Sequence, residues 1–125
     1  HDISLPVQLI PQFMEEGAKV VSSVCPGSRI VSFGHLGDGN LHYNVSQPTD
    51  MDRDAYLSLW EVMNEKVHDL VVSMGGSISA EHGIGVLKND ELARYKNPAD
   101  LAMMKAIKQA VDPNNLFAPD RIIRA

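Results

Sequence analysis

The sequence predicts an α+β fold, one antiparallel sheet with helices packed over one face, formed as a single domain over residues 1–125. Three observations predict it. Short alternating runs and stretches of three- and four-residue apolar spacing follow one another in the order strand, helix, strand, strand, helix, strand, helix, helix. Two of those strands stand side by side across the turn-forming stretch "LGDGN", which pairs them antiparallel. The chain of 125 residues has room for one modest core, burying roughly two thirds of its unfolded surface.

The elements follow in order. Residues 2–6 alternate and end in Pro6, a short strand. Pro11 suits the first turn of a helix, whose buried stripe is Phe13, Met14, Ala18, Val21 and Val24 and whose end is "CPGS". Residues 29–34 and 41–46 read as the two hairpin strands. In the loop "QPTDMD", Asp50 or Asp52 can cap the next helix. Its stripe of Leu57, Trp60, Met63, Val67, Val71 and Met74 makes it the longest helix expected, stopped by Gly75-Gly76. A strand "SISA" leads into "EHGIG", where two glycines imply unusual backbone. Asn89 with Asp90 and Glu91 starts one helix. Asn97-Pro98 starts another, with Leu101, Met104, Ile107 and Val111 as its buried face and Asp112-Pro113 as its stop.

Composition narrows the function. Apolar residues make up 44% and charged residues 22%, the proportions of an ordinary globular protein, and no apolar run is long enough for a membrane span. A net charge of -5 and a pI near 5.4 argue against nucleic acid and anionic membranes, which need a basic surface. Small molecules or proteins are the expected partners. The single cysteine, Cys25, excludes an internal disulfide and a cysteine-based zinc site. With no secretory leader at "HDISLP", the expected location is cytoplasmic. The abrupt start without an initiator methionine suggests a piece of a longer chain. No repeat or low-complexity segment is present.

Chemistry concentrates in two stretches. In "FGHLGDGNLHYNV", a hairpin closed by residues 36–41 sets His35 opposite His42, with facing Cβ atoms about 4.5–5.5 Å apart. Two imidazoles so placed either converge on one ion or each simply end a strand at the surface. Asn44 shares the face of His42 by period-two alternation, as do Val31 and Phe33, so that face is half apolar. In "SAEHGIG", Glu81 and His82 are neighbours that serve one site only if the backbone turns, which Gly83 and Gly85 permit. Two histidines and a glutamate form an open ligand set used by catalytic zinc and by iron, leaving a further histidine as general base. His1 and His68 are expected to be incidental surface residues. The glycines of "GHLGDG" follow neither dinucleotide-binding nor P-loop spacing.

The motifs "GHLGDGNLHYNV", "GSISAEHGIGVLKNDEL" and "LAMMKAIKQAVDPNNLFAPDRII" resemble the C-terminal part of the FAD-linked 2-hydroxy acid dehydrogenases, along nearly the whole chain. The resemblance implies the C-terminal part of a substrate, or cap, domain of a vanillyl-alcohol-oxidase-type flavoprotein, with a separate FAD-binding domain, absent from this chain, as its partner. It implies His35, His42 and Glu81 as ligands of a divalent metal, zinc by preference, His82 as catalytic base and Asn44 as a substrate contact. The expected reaction is oxidation of a D-2-hydroxy acid to the 2-oxo acid, with FAD as electron acceptor. Where the family commonly has an Asn-Pro-Gly-Lys-like turn, this chain has Ala118 and Asp120 within "FAPDRII". An apolar patch left by the absent domain would favour a homo-oligomer. Two other readings use the same residues: a free-standing metal-dependent hydrolase with a His-His-Glu site, and a metal-free binding module with structural histidines.

Overall fold

Alternation at the start of the chain forms a short strand, β1 (Asp2–Ser4), which a computed structural model of residues 1–124 places at the edge of a three-stranded antiparallel sheet. The central strand is β3 (Asn40–Ser46) and the far one is β2 (Arg29–Phe33). The chain divides into two compact units, His1–Glu81 and the residues from His82 onward.

In the first unit the helix α1 (Ile10–Val24) carries Pro11 in its first turn and buries Ile10, Phe13, Gly17 and Val21, a stripe at three- and four-residue spacing. Gly17 serves close approach. A Cβ there would lie 2.8 Å from the Tyr43 hydroxyl, so only glycine lets the helix lie this near the strand. Phe13 meets Tyr43 edge-on, with ring centroids 5.0 Å apart. Ile3, Leu41 and Tyr43 point into this core with Val67 and Val71, so the expected packing of helices on one face of a sheet is present.

Several expected elements differ. The single helix over the stripe from Leu57 is two, α2 (Arg53–Leu57) and α3 (Trp60–Ser73). Asp52 caps the first, accepting from Asp54 and Ala55 N–H, and the Ser58 hydroxyl then bonds back to the Ala55 carbonyl where the axis breaks. Burial starts only at Met63, while Leu57 and Trp60 stay exposed. The longest helix is consequently α1, with 15 residues against 14 in α3. His68 is also not a surface residue. It is 2% exposed, beside Val67 and Val71, because the buried stripe is wider than a single row, and its Nε2 lies 3.4 Å from Nδ1 of His1. His1 itself is half-buried.

The "SISA" strand is reduced to one bridge, between Ser4 and Ser77. The Ser77 side chain bonds to both the carbonyl and the N–H of Ser79 and turns the chain out of register.

The second unit holds α4 (Asn89–Tyr95) and α5 (Pro98–Val111), the latter capped by Asn97 accepting from Ala99 N–H. The expected buried face of α5 is absent: Leu101 and Met104 are half-buried, and Ile107 and Val111 are exposed. A unit of this size has too little structure to cover an amphipathic helix. After α5 the chain is held by Asp112, which pairs with Lys108 at 2.5 Å and accepts from Leu116 and Phe117 N–H; the lysine bond leads in lowering its pKa to about 2. Ala118 and Asp120 both adopt positive φ, at the two places where Asn and Gly are common in the resembled family. Buried Asn89 donates to the Asp120 carbonyl and fixes that turn. No helix among the described residues is long and apolar enough to cross a membrane.

Candidate metal centre

The face of the sheet opposite α1 and α3 carries the outward alternates of each strand. Along β3 these are Asn40, His42 and Asn44; β1 adds Asp2 and Ser4, and β2 adds Arg29, Val31 and Phe33. Pairing joins Phe33 to His42 and Val31 to Asn44, so His35 does not stand opposite His42 as the sequence suggested. The hairpin loop is longer than expected because Leu36–Asp38 form a 3-10 turn closed by Gly39 at φ +74, where a Cβ would also strike the Leu5 carbonyl oxygen. The register is displaced by two residues. A displacement of two preserves facing, so the half-apolar face of Val31, Phe33, His42 and Asn44 is present, with Val31 and Phe33 more than half exposed.

His35 still reaches the site, through Glu81 rather than through strand pairing. Its Nδ1 is 2.6 Å from Glu81 Oε1, and His42 Nε2 is 3.5 Å from Glu81 Oε2. The carboxylate therefore stands between the two imidazoles. Asn40 Nδ2 also donates to Oε1, at 3.3 Å. Exposure grades outward, from 20% for the His42 side chain through 31% for Glu81 to 70% for His35.

Electrostatics follow from that geometry. The hydrogen bond to Glu81, then that carboxylate's charge, raises the His35 pKa above its ordinary 6.5, and the same bond is the leading cause holding Glu81 below its ordinary 4.5. A proton is held where a cation could sit. One pair of donors suits a divalent cation: two donors about 2.1 Å from a tetrahedral ion lie roughly 3.4 Å apart, close to the His42–Glu81 separation. The His35–Glu81 contact is a hydrogen bond, shorter than two ligands of one ion require, so binding would release its proton and let the pair open.

Asp2 was not anticipated from the sequence. It is 7% exposed, accepts from the N–H groups of Ala80 and Glu81, and places Oδ1 3.7 Å from His42 Nδ1. Alternation in "DISL" puts Asp2 on a polar face, but nothing local shows that β1 lies against β3. Asn40 was missed for the same reason. Asn44 is exposed on the site's face, and His82 is an exposed residue opening the second unit.

Residues 1–122 match the family described as FAD linked oxidases, C-terminal domain. The chain is 42% identical over its full length to D-2-hydroxyglutarate dehydrogenase of Stutzerimonas stutzeri, of which it covers 27%. It is 33% identical over 98% of its length to the mitochondrial D-2-hydroxyglutarate dehydrogenase of Arabidopsis thaliana, covering 21% of that protein. A D-lactate dehydrogenase of Anaerostipes hadrus is 35% identical over 97% of the chain, which covers 25% of it. The chain thus spans about a quarter of the length of these relatives.

Proposed function

The chain belongs to the family of FAD linked oxidase C-terminal domains, and from that membership we propose that it is the substrate-site portion of a flavin-dependent dehydrogenase acting on a D-2-hydroxy acid. One observation supports this most: Glu81 set between His35 and His42 on the sheet face opposite α1 and α3. In this reading His35, His42 and Glu81 hold a divalent cation, zinc by the chemistry of the set. Asn44, on the same face, offers its amide to the substrate carboxylate, and exposed Val31 and Phe33 lie against the carbon chain. His82 enters by its place in the chain, one residue after Glu81, as the base that takes the hydroxyl proton. When bound, the cation would supply Lewis acidity at the hydroxyl and FAD would supply the electron acceptor. Relatives named as dehydrogenases lend no support to the hydrolase alternative.

The test is anaerobic flavin reduction by D-2-hydroxyglutarate, D-lactate and related acids in the whole polypeptide, with zinc content measured alongside. Reduction by one of these acids, with about one cation per chain, is expected. A protein that no 2-hydroxy acid reduces would sink the reading.

A further inference from the structure

Asp2 does something a strand residue does not ordinarily do. β1 and the segment after Gly76 begin a ladder, Ser4 with Ser77, in which each N–H bonds to the other residue's carbonyl at 3.0 and 2.9 Å. The ladder stops there. Three residues on, the backbone donors of Ala80 and Glu81 go to the Asp2 side chain instead, at 3.1 and 3.0 Å to Oδ2, with Glu81 N–H also 3.3 Å from Oδ1. One carboxylate thus takes the place of the missing strand pairing at the residue that carries the Glu81 side chain.

The same carboxylate is the register partner's neighbour. Asp2 pairs with His42 across β1 and β3, so their side chains leave the sheet on one face. Nδ1 of His42 is turned to Asp2 Oδ1 at 3.7 Å, while Nε2 is turned to Glu81 at 3.5 Å. A carboxylate beside one ring nitrogen favours the proton on that nitrogen and leaves the other with a free lone pair.

We infer that Asp2 is a positioning residue for the cation site, anchoring the backbone of Glu81 and fixing His42 as the Nδ1–H tautomer with Nε2 presented to the ion. This rests on the cation reading proposed above, and it adds a residue that acts through the Glu81 backbone and the His42 ring. The backbone bonds make the carboxylate a fixed point rather than a mobile surface charge.

The test has two readouts on the whole polypeptide. First, the ring-nitrogen shifts of His42 are recorded by 15N NMR at pH 8 without metal; a proton on Nδ1 is expected in the parent, and a shift toward the other tautomer in Asp2→Asn. Second, zinc affinity is measured by competition with a chromophoric chelator; Asp2→Asn is expected to lose about 10- to 100-fold. Asp2→Glu, which restores a carboxylate, should recover part of that loss, whereas a merely space-filling role would favour the isosteric amide. A parent His42 protonated on Nε2 overturns the inference even if no variant folds, and so does an Asp2→Asn protein binding zinc within twofold of the parent. If the parent binds no zinc, the cation reading fails, while the ring shifts still judge Asp2.

Discussion

Along β3, Leu41 and Tyr43 are buried beneath the helices, while His42 and Asn44, one residue away, stand among the polar groups of the other face. The strand is one object with two duties. Because successive side chains alternate, the residues that hold the unit together and those that gather around Glu81 never share a face, and each set can be altered with little cost to the other. Asp2 and Ile3 repeat the division in β1.

Four changes would break or sharpen that division. The largest is Phe13→Ala on the helix side, expected to lower unfolding free energy by about 3–5 kcal/mol in a denaturant titration. If its zinc affinity fell in step while the protein was still folded, the two faces would not be separable. Next is His42→Ala, expected to weaken cation binding by about 100-fold or more while moving stability by no more than about 1 kcal/mol. A loss of stability as large as that of Phe13→Ala would make His42 a core residue. Third is Tyr43→Phe. The Tyr43 hydroxyl is buried without a hydrogen-bond partner, and burial pushes its pKa up to about 12, so removing it should raise stability by about 1 kcal/mol. A fall of similar size would reveal a partner for that oxygen.

The smallest effect is in pH dependence. The His35 shift contributes stability that is complete below 6.5 and lost as pH rises through the raised, folded-state value; the Glu81 shift contributes stability that is complete above 4.5 and lost as pH falls through the lowered, folded-state value. The pair therefore helps most between pH 4.5 and 6.5. Both groups are exposed enough that the effect is small, and Glu81→Gln should slightly lower the melting temperature within that window and reduce its slope above and below it. An unchanged profile would show that the pair adds nothing to the fold.

Much of this was legible in sequence because it depends on period and on local caps. The α+β order, the Asp52 and Asn97 caps, the hairpin and the positive φ of Gly83 and Gly85 all follow from residues a few positions apart. What failed depends on the third dimension. The loop after Phe33 takes a 3-10 turn, which shifts the hairpin register by two. Ser58 breaks a stripe that looked continuous, and His68 lies on a buried face whose width no single row reveals. For the site, His35, His42 and Glu81 do come together, but through a carboxylate rather than through facing strand positions. Asp2 and Asn40 were invisible because their partners lie 79 and 41 residues away.

Those separations bear on how the unit is assembled. Asp2 and Glu81 sit near the two ends of the first unit, 79 residues apart, so the bonds between them close a loop that contains nearly all of its structure. Loop closure of that span carries an entropic cost that only the completed sheet and helices can offset, which puts this contact late in folding. The Asp2–Glu81 junction is thus a clasp. A cation held beside it would bind the finished fold and not the open chain, stabilising the unit by mass action that grows with the logarithm of its free concentration above the dissociation constant.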